Sequence, residues 1–80
     1  MRGLLNFKEE SMAESVYKFI ELVGTSTESW EKAATAAVEK AAKTVRELRI
    51  AEVKELDMQI DQGKVVAYRA KVKVSFKYEG

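Results

Sequence analysis

The sequence predicts an α+β subunit with the element order strand–helix–strand–strand. Three observations support this: a β-branched and aromatic run at 16–23, apolar residues at helical spacing from Trp30 onward, and two stretches of period two after Arg49. The chain has 80 residues, of which 46% are hydrophobic. A chain of this length forms one small domain with one modest core, and it is marginally stable alone.

The first strand is predicted at 16–23, where VYKFIELV is followed by Gly24. Residues 1–14 favour neither a helix nor a strand, so we interpret them as an N-terminal extension, from an upstream start or left by expression, ahead of a domain at 15–80. In a second interpretation, Leu4, Leu5 and Phe7 of this extension dock on a neighbouring subunit.

A helix is predicted from about Thr27 to Leu48, with Ser26 as its N-cap. Its apolar stripe consists of Trp30, Ala33, Ala34, Ala37, Val38, Ala41, Val45 and Leu48. Most of these side chains are alanines, so a sheet that covers the helix must approach it closely. Trp30 opens the stripe and is expected to be a core or intersubunit anchor.

The remainder predicts a long curved hairpin. Between Val53 and Leu56 the apolar residues switch from odd-numbered to even-numbered positions, which indicates a bulge or a bend in the strand. Residues 61–64 supply a turn around Gly63. The last strand has one apolar face throughout: Val66, Tyr68, Ala70, Val72, Val74, Phe76 and Tyr78.

That face has a consequence for assembly. It runs roughly 41 Å at about 3.4 Å per residue, whereas a 20-residue helix covers only about 30 Å. The helix therefore leaves apolar sheet surface and strand edges uncovered, and we expect other copies of the chain to cover them in a closed homo-oligomer.

Composition excludes several functions. The sequence has no His and no Cys, which excludes disulfides, imidazole or thiolate metal sites and the common catalytic pairings, so no enzyme is expected. The net charge of +1 gives no reason to expect nucleic acid or a membrane as partner. Because no stretch approaches about 20 apolar residues, we expect a soluble, cytoplasmic protein.

An ordered set of short motifs resembles the dodecin family over about residues 15–79. The segments that carry the resemblance are 16–18, 21–26, 29–31, 43–44, 51–53, 63–65 and 68–76. The resemblance implies a three-stranded antiparallel sheet partly wrapped around one helix, in a hollow homododecamer. It also implies storage of a small ligand, since dodecins are known as flavin-binding proteins that stack FMN or riboflavin between tryptophans.

The positions that flavin-binding dodecins use differ here. Ile50 stands where the resemblance places the stacking tryptophan, and Arg69 stands where such members carry a glutamine. The aliphatic Ile50 and the Tyr68–Arg69 pair resemble the residues that members of the calcium dodecin branch carry at these positions. Arg46 matches a position where phosphate-binding relatives carry arginine. The candidate cofactor-binding residues are therefore Ile50, Arg46, Tyr68 and Arg69, unless the arginines pair with glutamates at subunit contacts.

A divalent cation has only carboxylate and carbonyl ligands available, which suits Ca²⁺ or Mg²⁺. Glu28 and Glu55 match positions where some dodecins hold a cation, so they are the candidate metal ligands. The sequence thus predicts a shell that stores a small ligand, with a divalent cation favoured over flavin. A flavin-storage protein with an altered pocket and an assembly domain without a ligand are the alternatives.

Overall fold

The computed structural model describes residues 14–78 and confirms the predicted fold. Its elements are β1 (Tyr17–Ser26), α1 (Trp30–Ala42), β2 (Leu48–Asp61) and β3 (Lys64–Lys77). β3 is the central strand and pairs antiparallel with both β1 and β2. Residues 1–13, with the proposed docking residues Leu4, Leu5 and Phe7, lie outside the described residues, and the domain boundary at 15 stays a prediction.

The helix is shorter than predicted at both ends. Its N-cap is Ser29, whose Oγ accepts a hydrogen bond from the Lys32 amide at 3.0 Å. Ser26 Oγ instead accepts from the Glu28 amide at 3.0 Å, within the turn before the helix. At the other end the carbonyl of Ala41 accepts from the amides of both Thr44 and Val45, which closes the last turn.

β1 continues through Gly24 to Ser26, so the prediction that the strand ends at this glycine was wrong. Gly24 pairs with Ala70 and lies directly beneath α1. A Cβ at Gly24 would stand only 1.9 Å from the backbone oxygen of Ala33. The glycine therefore allows the helix to rest on the strand backbone.

The core between α1 and the sheet is small. Ala33 and Ala37 of the helix pack against alternate residues of β3, and these β3 side chains are completely buried: Ala70, Val72 and Val74. The intervening β3 residues point to the other face, because successive strand side chains alternate. Alanines on the helix give the close approach that the sequence predicted.

The β2–β3 hairpin is irregular where the sequence indicated. The register shifts between Val53 and Glu55, which confirms the predicted bulge, and it shifts again at both ends of β2. In the turn, Gln62 and Gly63 have φ of 53° and 77°. Two consecutive positive φ values are typical of the type I′ turn that joins tightly twisted hairpins.

The helix covers β1 and β3 but leaves β2 open. The helix-side residues of β2 that we name the β2 flank, Val53, Leu56 and Met58, are between 45% and 52% exposed. The molecule measures 56 × 27 × 15 Å, whereas 13 helical residues span only about 20 Å. The expectation of uncovered apolar sheet surface is therefore confirmed. Within residues 14–78, no helix is both long and apolar enough to cross a bilayer.

Candidate functional site

An open groove with a volume of about 510 Å³ lies between α1 and β2. Its lining residues are Trp30, Glu31, Ala34, Thr35, Val53 and Leu56. One wall is the helix and the other is formed by Val53 and Leu56 of the β2 flank, so the groove exists because the helix does not reach β2. We call it the α1–β2 groove.

Trp30 closes one end of this groove. Its indole Nε1 donates a hydrogen bond to the backbone oxygen of Asp57 at 3.0 Å. Its ring meets Tyr68 edge to face, with centroids 5.0 Å apart and an interplanar angle of 66°. Trp30 thus joins the start of the helix to the hairpin within one chain.

Arg69 is engaged by Asp57 on the neighbouring strand. Its Nε and Nη2 donate to the two carboxylate oxygens at 2.8 and 2.9 Å, in a bidentate pair. The hydrogen bond from Arg69 holds the pKa of Asp57 below its ordinary value. Tyr68 faces the helix and Arg69 the opposite side of the sheet, so the two candidates do not share a face.

The four candidate cofactor-binding residues do not converge in one chain. Ile50 is 66% exposed and pairs with Ser75, six residues along β3 from Arg69, which is roughly 20 Å. Arg46 lies in the connection between α1 and β2, in a separate cavity of about 380 Å³ beside Phe76. A pocket that includes all four would therefore need more than one subunit.

The two candidate metal ligands, Glu28 and Glu55, also bind different partners. Glu28 forms an ion pair with Lys32, and Glu55 with Lys71 at 3.7 Å across the hairpin. In the part of the chain that the structure describes, no three acidic residues gather closely enough to hold a metal ion. The carboxylates have the ligand chemistry for Ca²⁺, but one chain does not assemble the six to eight oxygens the ion takes.

Sequence reasoning missed Asp57 as the partner of Arg69. At the turn, Asp61 pairs with Lys64. If this register continued without interruption along both strands, Asp57 would lie opposite Tyr68. The register shift after Gln59 moves the pairing by one residue and brings Asp57 opposite Arg69. Only a bulge at that position could have revealed the pair, and neither strand has a glycine there to indicate it.

The family model for dodecins matches residues 16–79 of the chain. A calcium dodecin of Mycobacterium tuberculosis is 49% identical over 63 residues, covering 79% of this chain and 89% of the relative. A dodecin of Thermus thermophilus is 45% identical over 64 residues, covering 80% and 93% respectively.

Solved structures agree in fold. The crystal structure of the M. tuberculosis calcium dodecin, described as having a novel calcium-binding site, superposes with a TM-score of 0.72 at 50% identity, covering 81% of this chain and 93% of that one. Dodecin from Streptomyces coelicolor gives a TM-score of 0.80 at 33% identity, covering 86% and 99%. With its β-α-β-β order, its central β3 and a family match that spans the described domain, this chain belongs to the dodecin family.

Proposed function

We propose that the chain is the subunit of a non-enzymatic homododecameric shell that binds and stores a small ligand, with Ca²⁺ favoured over flavin. The observation that carries the preference is Ile50, which stands exposed at the start of β2 where the resemblance places a stacking tryptophan. An aliphatic side chain offers no π-face to an isoalloxazine ring, so stacking energy is lost.

The uncovered β2 flank supports self-assembly. Monomeric proteins rarely expose large contiguous apolar patches, and such patches mark interaction sites. Since the candidate ligand residues are also dispersed within one chain, assembly both covers the apolar surface and completes the sites.

Arg69 weighs further against flavin. A glutamine at this position would offer one acceptor and two donors, whereas the guanidinium only donates. Two of its five N–H donors already bind Asp57. A flavin that used Arg69 would have to displace a charge-assisted bidentate pair.

Two features support a divalent cation. Glu28 and Glu55 have side chains that are 65% and 68% exposed, so each can reach a ligand shared with a neighbouring subunit. The ion pairs that these glutamates form with lysines are exposed. Such pairs contribute little free energy, so a cation can readily replace the lysine. When bound, Ca²⁺ would join carboxylates that otherwise repel one another.

Flavin storage in an altered pocket is the second candidate. The aromatic pair Trp30–Tyr68 beside an apolar groove is the observation that favours it. In that case the ring would lie in the α1–β2 groove against Trp30, whose ring contacts Tyr68, rather than against residue 50.

Titration calorimetry with CaCl₂ and quenching of FMN fluorescence test the proposal. We expect saturable Ca²⁺ binding by the wild type, weakened by roughly tenfold or more in Glu55→Gln. The matched control Glu52→Gln, also a β2 glutamate paired with a lysine, should bind as the wild type does.

FMN should stay fluorescent with the wild type and be quenched by Ile50→Trp. Quenching by the wild type without Ca²⁺ binding would contradict the proposal and support the second candidate.

A further inference from the structure

A cavity lies at the end of the sheet where β1 begins and β3 ends. Its volume is about 380 Å³. It is lined by residues of the connection between α1 and β2 and by the last residues of β3: Thr44, Val45, Arg46, Glu47, Phe76 and Lys77. Val45 and Phe76 are half-buried, so part of the cavity wall is apolar. We call it the end cavity.

The lining of the end cavity carries an excess of positive charge. Arg46 and Lys77 are cations, and Glu47 is the one carboxylate among the lining residues. The Glu47 carboxylate already accepts a hydrogen bond from Arg49 Nη2 at 2.8 Å. The cavity therefore suits an occupant that combines apolar side chains with carboxylates.

The N-terminal extension has both of these properties. Leu4, Leu5 and Phe7 are apolar, and two carboxylates, Glu9 and Glu10, follow shortly after them. The sequence of the extension thus matches the end cavity in hydrophobicity and in charge.

The extension also joins the domain close to the end cavity. The Tyr78 amide donates a hydrogen bond to the Val16 carbonyl at 2.8 Å, so these two residues lie side by side. Phe76 lies two residues before Tyr78 on β3, which places it roughly 8 Å from Val16. Phe7 is nine positions before Val16, and a segment of this length spans up to about 30 Å. The extension can therefore reach the cavity, and the tether raises its effective concentration there.

We propose that the N-terminal extension of each chain docks in the end cavity of the same chain. Phe7 packs against Phe76, and Glu9 and Glu10 form ion pairs with the cations of the cavity. The docked extension covers Arg46, so an anion that binds Arg46 has to displace it. This autoinhibitory contact goes beyond the proposed function, because a single chain carries both the extension and the cavity.

Disulfide trapping tests the contact, because the sequence has no Cys. In Phe7→Cys/Val45→Cys the second thiol lies in the end cavity. In the matched control Phe7→Cys/Ser75→Cys it lies beside Phe76 but on the opposite face of the sheet. Under mild oxidation we expect the first variant to form a disulfide within one chain, at least about tenfold faster than the control.

Two results of this experiment would overturn the proposal. Equal rates in both variants would show that the extension is tethered near the cavity without docking in it. Disulfide-linked dimers of Phe7→Cys/Val45→Cys on a non-reducing gel would show that the extension reaches a different chain.

Chymotrypsin cleavage after Phe7 provides a second measurement, on chains without introduced thiols. We expect Glu9→Lys/Glu10→Lys to be cleaved roughly fivefold faster than the wild type, as the loss of two exposed ion pairs implies. Adding Arg46→Glu/Lys77→Glu reverses the charge of the cavity as well and should restore the protection, although the cleaved segment is unchanged. A quadruple variant that is cleaved as fast as Glu9→Lys/Glu10→Lys contradicts the docking.

The outcomes also separate this proposal from the homododecamer. A wild type that stays monomeric in light scattering contradicts the shell, while its disulfide and cleavage rates still decide the docking. An intact particle in which Phe7 is cleaved equally fast in all variants overturns only the contact inferred here.

Discussion

Asp57 connects three parts of the fold through two different groups. Its backbone oxygen accepts from the Trp30 indole, and its carboxylate binds Arg69. The first contact fixes the start of the helix against β2, and the second joins β2 to β3 on the other face of the sheet. A substitution that changes only the side chain should therefore separate the ionic contact from the structural one.

Asp57→Asn should lower the stability of the protein in a pH-dependent way. The pKa of Asp57 lies below its ordinary 3.8 because of the hydrogen bond from Arg69. A carboxyl whose pKa is lowered by folding stabilises the folded state above its unfolded pKa, and this contribution disappears as the pH falls through the folded pKa. The urea midpoint of Asp57→Asn should thus lie slightly below that of the wild type at pH 7, and the two should converge below pH 3.8.

The effect should be small, since the pair is exposed. Arg69→Gln is the matched control and should show the same convergence, while combining both substitutions should add little. A constant difference between wild type and Asp57→Asn down to the lowest pH would show that the carboxylate acts through packing and not through its charge.

α1 packs closely on the sheet because the residues at the contact have small side chains or none. Gly24 has no Cβ, and the helix residues above the sheet are alanines. This permits a close approach that larger side chains would prevent. The same approach holds the helix over β1 and β3, and so leaves β2 free to form the groove.

Gly24→Ala should destabilise the subunit by about 1–3 kcal/mol or more, because the new methyl group would collide with the backbone oxygen of Ala33 and force the helix away. Urea unfolding measures this change. Gly63→Ala is the comparison: nothing lies within 4 Å of its added Cβ, so its cost of about 1–2 kcal/mol comes only from the positive φ. A free energy of unfolding for Gly24→Ala equal to that of the wild type would mean that α1 does not rest on β1.

The ends of the elements show what the sequence could and could not predict. The alternation of β3 and the parity change at Val53 are properties of single strands, so both were predicted correctly. The end of the helix was not, because residues 43–48 keep the helical apolar spacing and contain neither Gly nor Pro. The helix ends at Ala42, and the connection enters β2 through Glu47, which has φ of 61° although it is not a glycine.

The candidate site could be predicted only in part, for a reason that belongs to the whole molecule. The types of residue were evident from the sequence, but Ile50 and Arg69 lie roughly 20 Å apart along the sheet. Under the proposed function, a single chain carries only pieces of the site, and the proposed assembly decides which pieces meet. Local spacing in a sequence contains no information about contacts between copies.

Assembly should also determine the stability of the fold. The subunit has a small alanine and valine core and an uncovered β2 flank. In the proposed assembly, its neighbours would supply much of its apolar burial, so association and folding would be linked. The urea midpoint should therefore rise with total protein concentration. Over roughly a hundredfold range, the apparent free energy of unfolding should increase by up to about 2.7 kcal/mol per subunit. Leu56→Asp, which charges the exposed β2 flank, should lower the midpoint and remove most of this dependence. A wild-type midpoint that is the same at every concentration would indicate that the isolated subunit is stable on its own, and the uncovered sheet would then not be what drives the copies together.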